Sequence, residues 1–177
     1  MSSFDYSKYI REVPDFPVNG ISFKDIGPLL SEPKAFRVAV SEMESMAAHR
    51  VPDVIISPDA RGWLFAAPIA YTLGIPLHMA RKPNKLPPET TAIEYDYEYA
   101  NGELHISADH DYTNQHVLIV DDVNATGGTA LALTELVRQQ GAEHVSYICF
   151  INIMTAGGKT LLREHDVNFG SVLNYGQ

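Results

Sequence analysis

Cysteine is almost missing from this chain, and that removes one class of fold. The single cysteine, Cys149, cannot close an internal disulfide, so a disulfide scaffold is excluded. It lies in the apolar run Val145-Ser146-Tyr147-Ile148-Cys149-Phe150-Ile151, which points to packing rather than nucleophilic chemistry. No apolar run approaches the roughly 20 residues of a membrane helix, and Met1 to Lys8 lacks the basic and apolar blocks of a signal peptide. A cytoplasmic location away from membranes is expected. Positive charge is scarce too. Thirteen Lys and Arg face 22 Asp and Glu, and the net charge of −9 argues against a general nucleic-acid binder. The seven histidines show no paired metal-ligand spacing, so no structural zinc site is expected.

What is present is ordinary in bulk and specific in detail. With 177 residues, 45% hydrophobic and 20% charged, the chain fits one domain over residues 1–177. Strand-like and helix-like runs alternate, which predicts an α/β fold with a mostly parallel central sheet flanked by helices. Helices are predicted over Ala35–His49, Gly62–Leu73 and Thr129–Gln140, the last two closed by Gly74 and Gly141. Strands are predicted over Val51–Ile56, Ile75–Ala80, Val117–Val120 and Val145–Ile151. Two regions break the rhythm. Lys82–Tyr99 is polar and Pro-rich and predicts a weakly structured loop or lid. The segment through Asp25 is too irregular for a regular element and would cap one end of the sheet.

The chemistry concentrates in His116–Thr129. A buried strand delivers Asp121 and Asp122 at its C-terminal end, a small-residue loop follows, and then a helix begins. The loop Ala125-Thr126-Gly127-Gly128-Thr129 can aim backbone N–H groups and the positive end of the helix at a phosphate, with Gly127 and Gly128 free to take positive φ. The adjacent acids would repel that phosphate, so they must face donors, and sugar hydroxyls are donors. The order strand, two acids, phosphate loop therefore predicts a ribose-5-phosphate site. Cations gather at Arg61, Arg81, Lys82 and Lys85, with no acid between Arg61 and Lys85. Other nucleotide motifs fail. Gly-x-Gly-x-x-Gly is absent, and Gly157-Gly158-Lys159-Thr160 matches only the tail of a Walker A loop. Ile153 takes the place of its first glycine, and no buried strand is expected to lead directly into it.

Val120-Asp121-Asp122 with Ala125–Thr129 resembles the phosphoribosyl pyrophosphate (PRPP) signature of the type I phosphoribosyltransferases. The resemblance extends to the adenine phosphoribosyltransferase family through Val13–Pro17, Gly20–Ile26, Asp59-Ala60-Arg61-Gly62, Arg81–Pro87 and Tyr97-Glu98-Tyr99. It implies the type I fold, with a small N-terminal hood over residues 1–34, a flexible lid loop over residues 82–105, and a homodimer. The implied reaction is adenine plus PRPP to AMP plus pyrophosphate through an oxocarbenium-like transition state. Ser22, Phe23 and Lys24 would read the base, with Phe23 stacked on the purine. Asp121 and Asp122 would hold the ribose hydroxyls, and Ala125, Thr126, Gly127, Gly128 and Thr129 the 5-phosphate. Asp59, Ala60, Arg61, Arg81, Lys82 and Lys85 would hold the pyrophosphate, around a non-proline cis peptide often found at Asp59-Ala60. Glu98 would manage the purine ring protons, with Arg61 as its catalytic partner and Tyr99 closing the lid. Mg²⁺ is implied, bound mainly through substrate and water rather than a protein cage.

The sequence departs from the family pattern at Asn124, at Ser57-Pro58, at Trp63 and at Ala100. These departures leave two alternatives open: a transferase acting on hypoxanthine, guanine or xanthine, and a PRPP-sensing regulatory protein. The second needs an added domain or a basic face, and neither is evident.

Overall fold

The computed structural model describes residues 4–97 and 100–176. After a 3-10 turn at Ser7–Tyr9, the chain forms β1 (Arg11–Pro14), β2 (Ser22–Asp25), α1 (Gly27–Leu30), α2 (Pro33–Ala48), β3 (Val54–Pro58), α3 (Trp63–Leu73) and β4 (Leu77–Ala80). It continues through β5 (Thr90–Tyr97), β6 (Ala100–Ser107), β7 (His116–Asn124), α4 (Gly128–Gln139), β8 (His144–Ile153), α5 (Gly158–Glu164) and β9 (Asn168–Tyr175).

Among the described residues, five strands make a central sheet in the order β4-β3-β7-β8-β9, every pairing parallel. Parallel neighbours need crossovers, and helices α3, α4 and α5 supply three of them. Both faces of the sheet are covered, so its inner strands are apolar on both sides. Leu118, Val120, Ile148 and Phe150 pack toward α2, α3 and the N-terminal Tyr6 and Ile10. Val117, Ile119, Tyr147 and Cys149 pack toward α4, Leu162 of α5, and Leu104 and Ile106 of β6. Cys149 is fully buried and unpaired, and burial pushes its thiol pKa up.

Local signals set the helix bounds. Pro33 opens α2, the Glu32 carboxylate accepts from the Lys34 amide at 3.4 Å, and Ala35, Ala39, Met43 and Ala47 form its buried stripe. Gly74 closes α3 at φ 67, a left-handed stop that glycine takes at little cost.

Four expectations need correction. Lys82–Tyr99 is not weakly structured throughout, because β5 and β6 form an antiparallel hairpin from Thr90↔Ser107 to Tyr97↔Ala100. The run Thr90-Thr91-Ala92-Ile93-Glu94-Tyr95 is rich in β-branched and aromatic residues, a strand signal that the preceding prolines obscure. The N-terminal hood contains a second hairpin, β1 with β2, in the register Val13↔Phe23. The central strand extends past Val120 to Asn124, since β8 runs alongside and pairs Asp121 with Cys149 and Val123 with Ile151. The two acids are therefore part of the sheet. At its other end β3 starts at Val54, while Val51 is 78% exposed at φ 48.

Candidate active site

A cavity of about 590 Å³ opens at the C-terminal ends of β7 and β8, between the hood and the loop that precedes α4. Its walls bring together Ser22, Phe23 and Lys24, the side of Arg61, Asp121, and the whole loop Ala125–Thr129. Residues far apart in sequence thus share one space. Asp59, Ala60, Arg81, Lys82 and Lys85 do not line it, and Glu98 and Tyr99 lie outside the described residues.

The loop is built as a phosphate cradle. Gly127 takes φ +85 and caps α4, while Gly128 is already helical. The first helical bond runs from Leu131 N–H to Gly127 C=O at 2.8 Å, which leaves the N–H groups of Gly127 through Ala130 outside the helix ladder. They lie at the positive end of a 12-residue helix, and the Gly128 N–H is 3.5 Å from Thr126 Oγ1. The loop is held from behind by the turn after β8. Gly158 N–H donates to Ala125 C=O at 2.9 Å, and a Cβ on Gly158 would stand 2.5 Å from the Gly127 nitrogen. A Cβ on Gly127 would in turn meet the Gly158 Cα at 2.9 Å. The two glycines are required for this close approach. As expected, no buried strand leads directly into Gly157-Gly158: a 3-10 turn, Met154–Ala156, separates it from β8. The glycine pair was visible in the sequence, but its partner loop, some 30 residues away, was not.

The two acids differ in surroundings. Asp121 lines the cavity, and burial, reinforced by the neighbouring Asp122 charge, pushes its carboxyl well above the usual range. Burial also raises Asp122, against the opposing pull of Arg61. Arg61 Nε lies 2.8 Å from Asp122 Oδ2, and its guanidinium stands 4.9 Å from the centre of the Phe23 ring. Arg61 therefore spans the interval between the predicted base plate and the predicted ribose acids. Gly62 makes the close packing here possible, since a Cβ would sit 2.6 Å from Ser57 Oγ and 3.0 Å from Asp121 Oδ1.

Phe23 stands on β2 with Phe16 against it edge-on at 5.2 Å, so one rigid aromatic supports the other. Lys24 pairs with Glu12 at 2.7 Å and faces the Tyr175 ring at 4.9 Å.

The cationic region after β4 forms a separate group. The Asp59-Ala60 peptide is cis, as the resemblance implied. Arg81 stands 3.6 Å from Asp59, donates to the Lys85 carbonyl at 2.8 Å, and covers the Trp63 ring at 5.1 Å. Trp63 donates its indole N–H to the Ser57 carbonyl at 2.9 Å, so this departure from the family pattern supplies the plate on which Arg81 rests. Lys82 and Lys85 are exposed. The hairpin reaches the phosphate loop where Thr129 Oγ1 lies 3.4 Å from the Tyr95 hydroxyl. Tyr95, Trp63 and Gly158 are site residues that sequence reasoning did not assign.

Among the described residues no three His, Cys, Asp or Glu side chains converge on one point. Asp121 is the described carboxylate that lines the cavity, a single oxygen donor that suits a hard divalent cation carried largely by its substrate.

Comparison with known proteins agrees with this geometry. A model of the phosphoribosyl transferase domain matches residues 34–173. An adenine phosphoribosyltransferase of Synechococcus sp. strain CC9902 is 40% identical over 175 residues, covering 99% of each chain. The crystal structure of adenine phosphoribosyltransferase from Thermoanaerobacter pseudethanolicus superposes with a TM-score of 0.88 at 40% identity, over 94% of this chain and 96% of that one. The Trypanosoma brucei adenine phosphoribosyl transferase, solved with AMP, pyrophosphate and ribose-5-phosphate, gives a TM-score of 0.83 at 25% identity, over 96% and 77% of the two chains.

Proposed function

This chain belongs to the adenine phosphoribosyltransferase family, and we propose that it condenses adenine with PRPP to give AMP and pyrophosphate. The observation that carries this reading is one cavity holding an aromatic plate at Phe23, a ribose acid at Asp121 and a phosphate cradle at Ala125–Thr129. A 6-oxopurine substrate and a sensor role are not favoured by relatives named for adenine.

In this reading the N–H groups of Gly127 to Ala130 bind the 5-phosphate, and Asp121 and Asp122 accept from the ribose hydroxyls. Adenine stacks on Phe23, where the backbone of Ser22 and Lys24 reads its edge. Nitrogen 9 of the base forms a bond to carbon 1 of the ribose as the bond from carbon 1 to pyrophosphate breaks. Charge then grows on the pyrophosphate, and the cations at Arg61, Arg81, Lys82 and Lys85 stabilise it. Arg61 must exchange Asp122 for the substrate to do so. Arg81, Lys82 and Lys85 lie outside the cavity wall, so their part requires the segment between β4 and the hairpin to move toward the site. Glu98 is assigned the purine proton, and Tyr99 closure, by resemblance alone. Asp121, the acid that lines the cavity, would help hold a Mg²⁺ carried in with PRPP, and the ion would supply charge neutralisation at the pyrophosphate.

A homodimer fits the apolar surface on α3 and edge strand β4, where Leu64 is 41%, Tyr71 89% and Met79 46% exposed. A cytoplasmic setting fits the free, buried Cys149; no described helix is long and apolar enough to cross a membrane.

The direct test mixes purified protein with Mg²⁺, PRPP and, separately, adenine, hypoxanthine, guanine and xanthine. AMP from adenine is expected. Absence of any nucleotide overturns the enzyme reading, and turnover of a 6-oxopurine alone overturns adenine.

A further inference from the structure

The residue before the phosphate loop is Asn124, where the family signature carries an apolar side chain, and the fold gives its amide a line of partners. Asn124, Asn152 and Asn174 stand in register on the neighbouring strands β7, β8 and β9. Asn124 Nδ2 donates to Asn152 Oδ1 at 2.9 Å, and Asn152 Nδ2 donates to Asn174 Oδ1 at 3.1 Å. Ser171 Oγ donates to the same Asn174 oxygen at 3.1 Å. Asn124 is 3% exposed and Asn152 fully buried, whereas Asn174 is open to solvent. Amides buried this deeply are unfavourable unless paired, and the parallel backbone already holds these strands together. The side-chain ladder therefore adds something the sheet does not need for pairing alone. It fixes the relative height of three strand ends.

The two ends of the ladder lie beside the two halves of the site. The inner rung directly precedes Ala125, the start of the phosphate loop. The outer rung directly precedes Tyr175, whose ring faces Lys24 Nζ at 4.9 Å. Lys24 is the neighbour of Phe23 on β2 and lines the cavity along with Asn124. We propose that Asn124, Asn152 and Asn174 are positioning residues that hold the phosphate loop at a set distance from the base-reading strand, so that PRPP anchored by its 5-phosphate presents carbon 1 to the stacked base. The inference rests on the transferase reading above. It adds residues of the last two strands, which touch neither reacting centre.

The test measures PRPP binding by calorimetry together with steady-state kinetics and thermal melting. Asn152→Leu breaks both inner bonds. PRPP should bind about tenfold more weakly, the scale of one lost hydrogen bond, and KM for PRPP should rise in step while kcat changes less. The double variant Asn124→Leu/Asn152→Leu restores an apolar pair with no orphaned amide, so Tm should recover while PRPP affinity stays low. Recovery of affinity together with Tm would mean that the ladder only fills the core, and the inference would be overturned. If the leucine variants do not fold, Asn174→Ala at the exposed outer rung decides. A weakening of PRPP binding by about threefold is expected, and unchanged affinity overturns the proposal. A wild-type protein that binds PRPP but makes no AMP overturns the enzymatic reading alone, because the binding measurements still read the ladder. A wild type that binds no PRPP overturns both.

Discussion

The two halves of the site are made in opposite ways. The strand-end half, Asp121 to Thr129, is buried, fixed by the central sheet and braced by Gly158. The hairpin half, from Arg81 through β6, stands on the β4 edge of the sheet, with Lys82 and Lys85 exposed and the Tyr95 hydroxyl beside Thr129 of the phosphate loop. The first half is complete before substrate arrives and carries the electrostatic cost of that readiness. Two adjacent carboxyls are held in a buried position, and both are pushed up in pKa. The second half spends little on its charges, because Lys82 and Lys85 are solvated. Rigid elements suit the end of PRPP that does not change during the reaction. The exposed lysines suit the end where, in the proposed reaction, charge develops on the leaving pyrophosphate.

If this contrast holds, Asp121→Asn is the largest effect. Turnover should fall about 10²–10³-fold, the scale of losing a preorganised polar contact to the reacting centre, while the substrate-free protein melts higher. The sign follows from the raised carboxyl. Such a group contributes stability while protonated, and that contribution is lost as pH rises through its folded pKa. The variant should therefore exceed wild type most at neutral and alkaline pH, with the gap closing toward acid. A variant that melts lower at all pH values would show that the Asp121 carboxyl supports the fold rather than burdens it.

Gly158→Ala comes next and tests whether the cradle is rigid. The new Cβ runs into the Ala125 carbonyl and the Gly127 nitrogen, backbone atoms that cannot turn aside. A loss of about 1–3 kcal/mol of stability is expected by denaturant titration, with PRPP turnover down about 10²-fold from a displaced loop. Normal kinetics in that variant would mean that the loop is soft, and the contrast between the halves would collapse.

How much of this was legible follows the same division. Strand, acids, loop and helix from His116 to Gln139 are contiguous, so periodicity and local chemistry exposed them together. The support from Gly158 and the rest for Arg81 on Trp63 arise only when distant segments meet, and no local pattern encodes such meetings. Trp63 looked like a departure from a family motif, yet its indole holds one of that motif's own cations. The hairpin was hidden for a different reason. Pro83, Pro87 and Pro88 precede it and mark a loop, while the strand signal begins only at Thr90. The end of the central strand was misplaced because acids score against a strand, whereas here β8 supplies the backbone partners that keep Asp121 within it.

The paired change Lys82→Ala/Lys85→Ala probes the hairpin half in the segment that leads from β4 into it. Both ammonium groups are exposed, so stability should stay within about 0.5 kcal/mol of wild type. The KM for PRPP should nonetheless rise about tenfold, and the rise should shrink at high salt as the solvated charges are screened. A variant that is kinetically silent would remove these lysines from the pyrophosphate site and leave Arg61 and Arg81 to serve it.

The smallest effect is expected at the foot of the hairpin, where β4 meets the segment after β6. His78 stacks on His110 at 3.6 Å between ring centres, and its Nδ1 lies 3.0 Å from the Tyr112 hydroxyl. Burial, with the His110 ring adding to it against a weaker pull from Asp109, lowers the His78 pKa from 6.5 to about 4. A histidine depressed in this way contributes stability above its ordinary pKa, and the contribution is lost as pH falls through the folded value. Wild-type stability should therefore decline between pH 6.5 and about 4, with hydrogen exchange rising first at the hairpin foot. His78→Phe keeps an aromatic plate against His110 but cannot take up a proton, so this part of the acid limb should flatten, while turnover at neutral pH stays close to wild type. A variant whose acid limb is as steep as that of wild type would place the titration elsewhere.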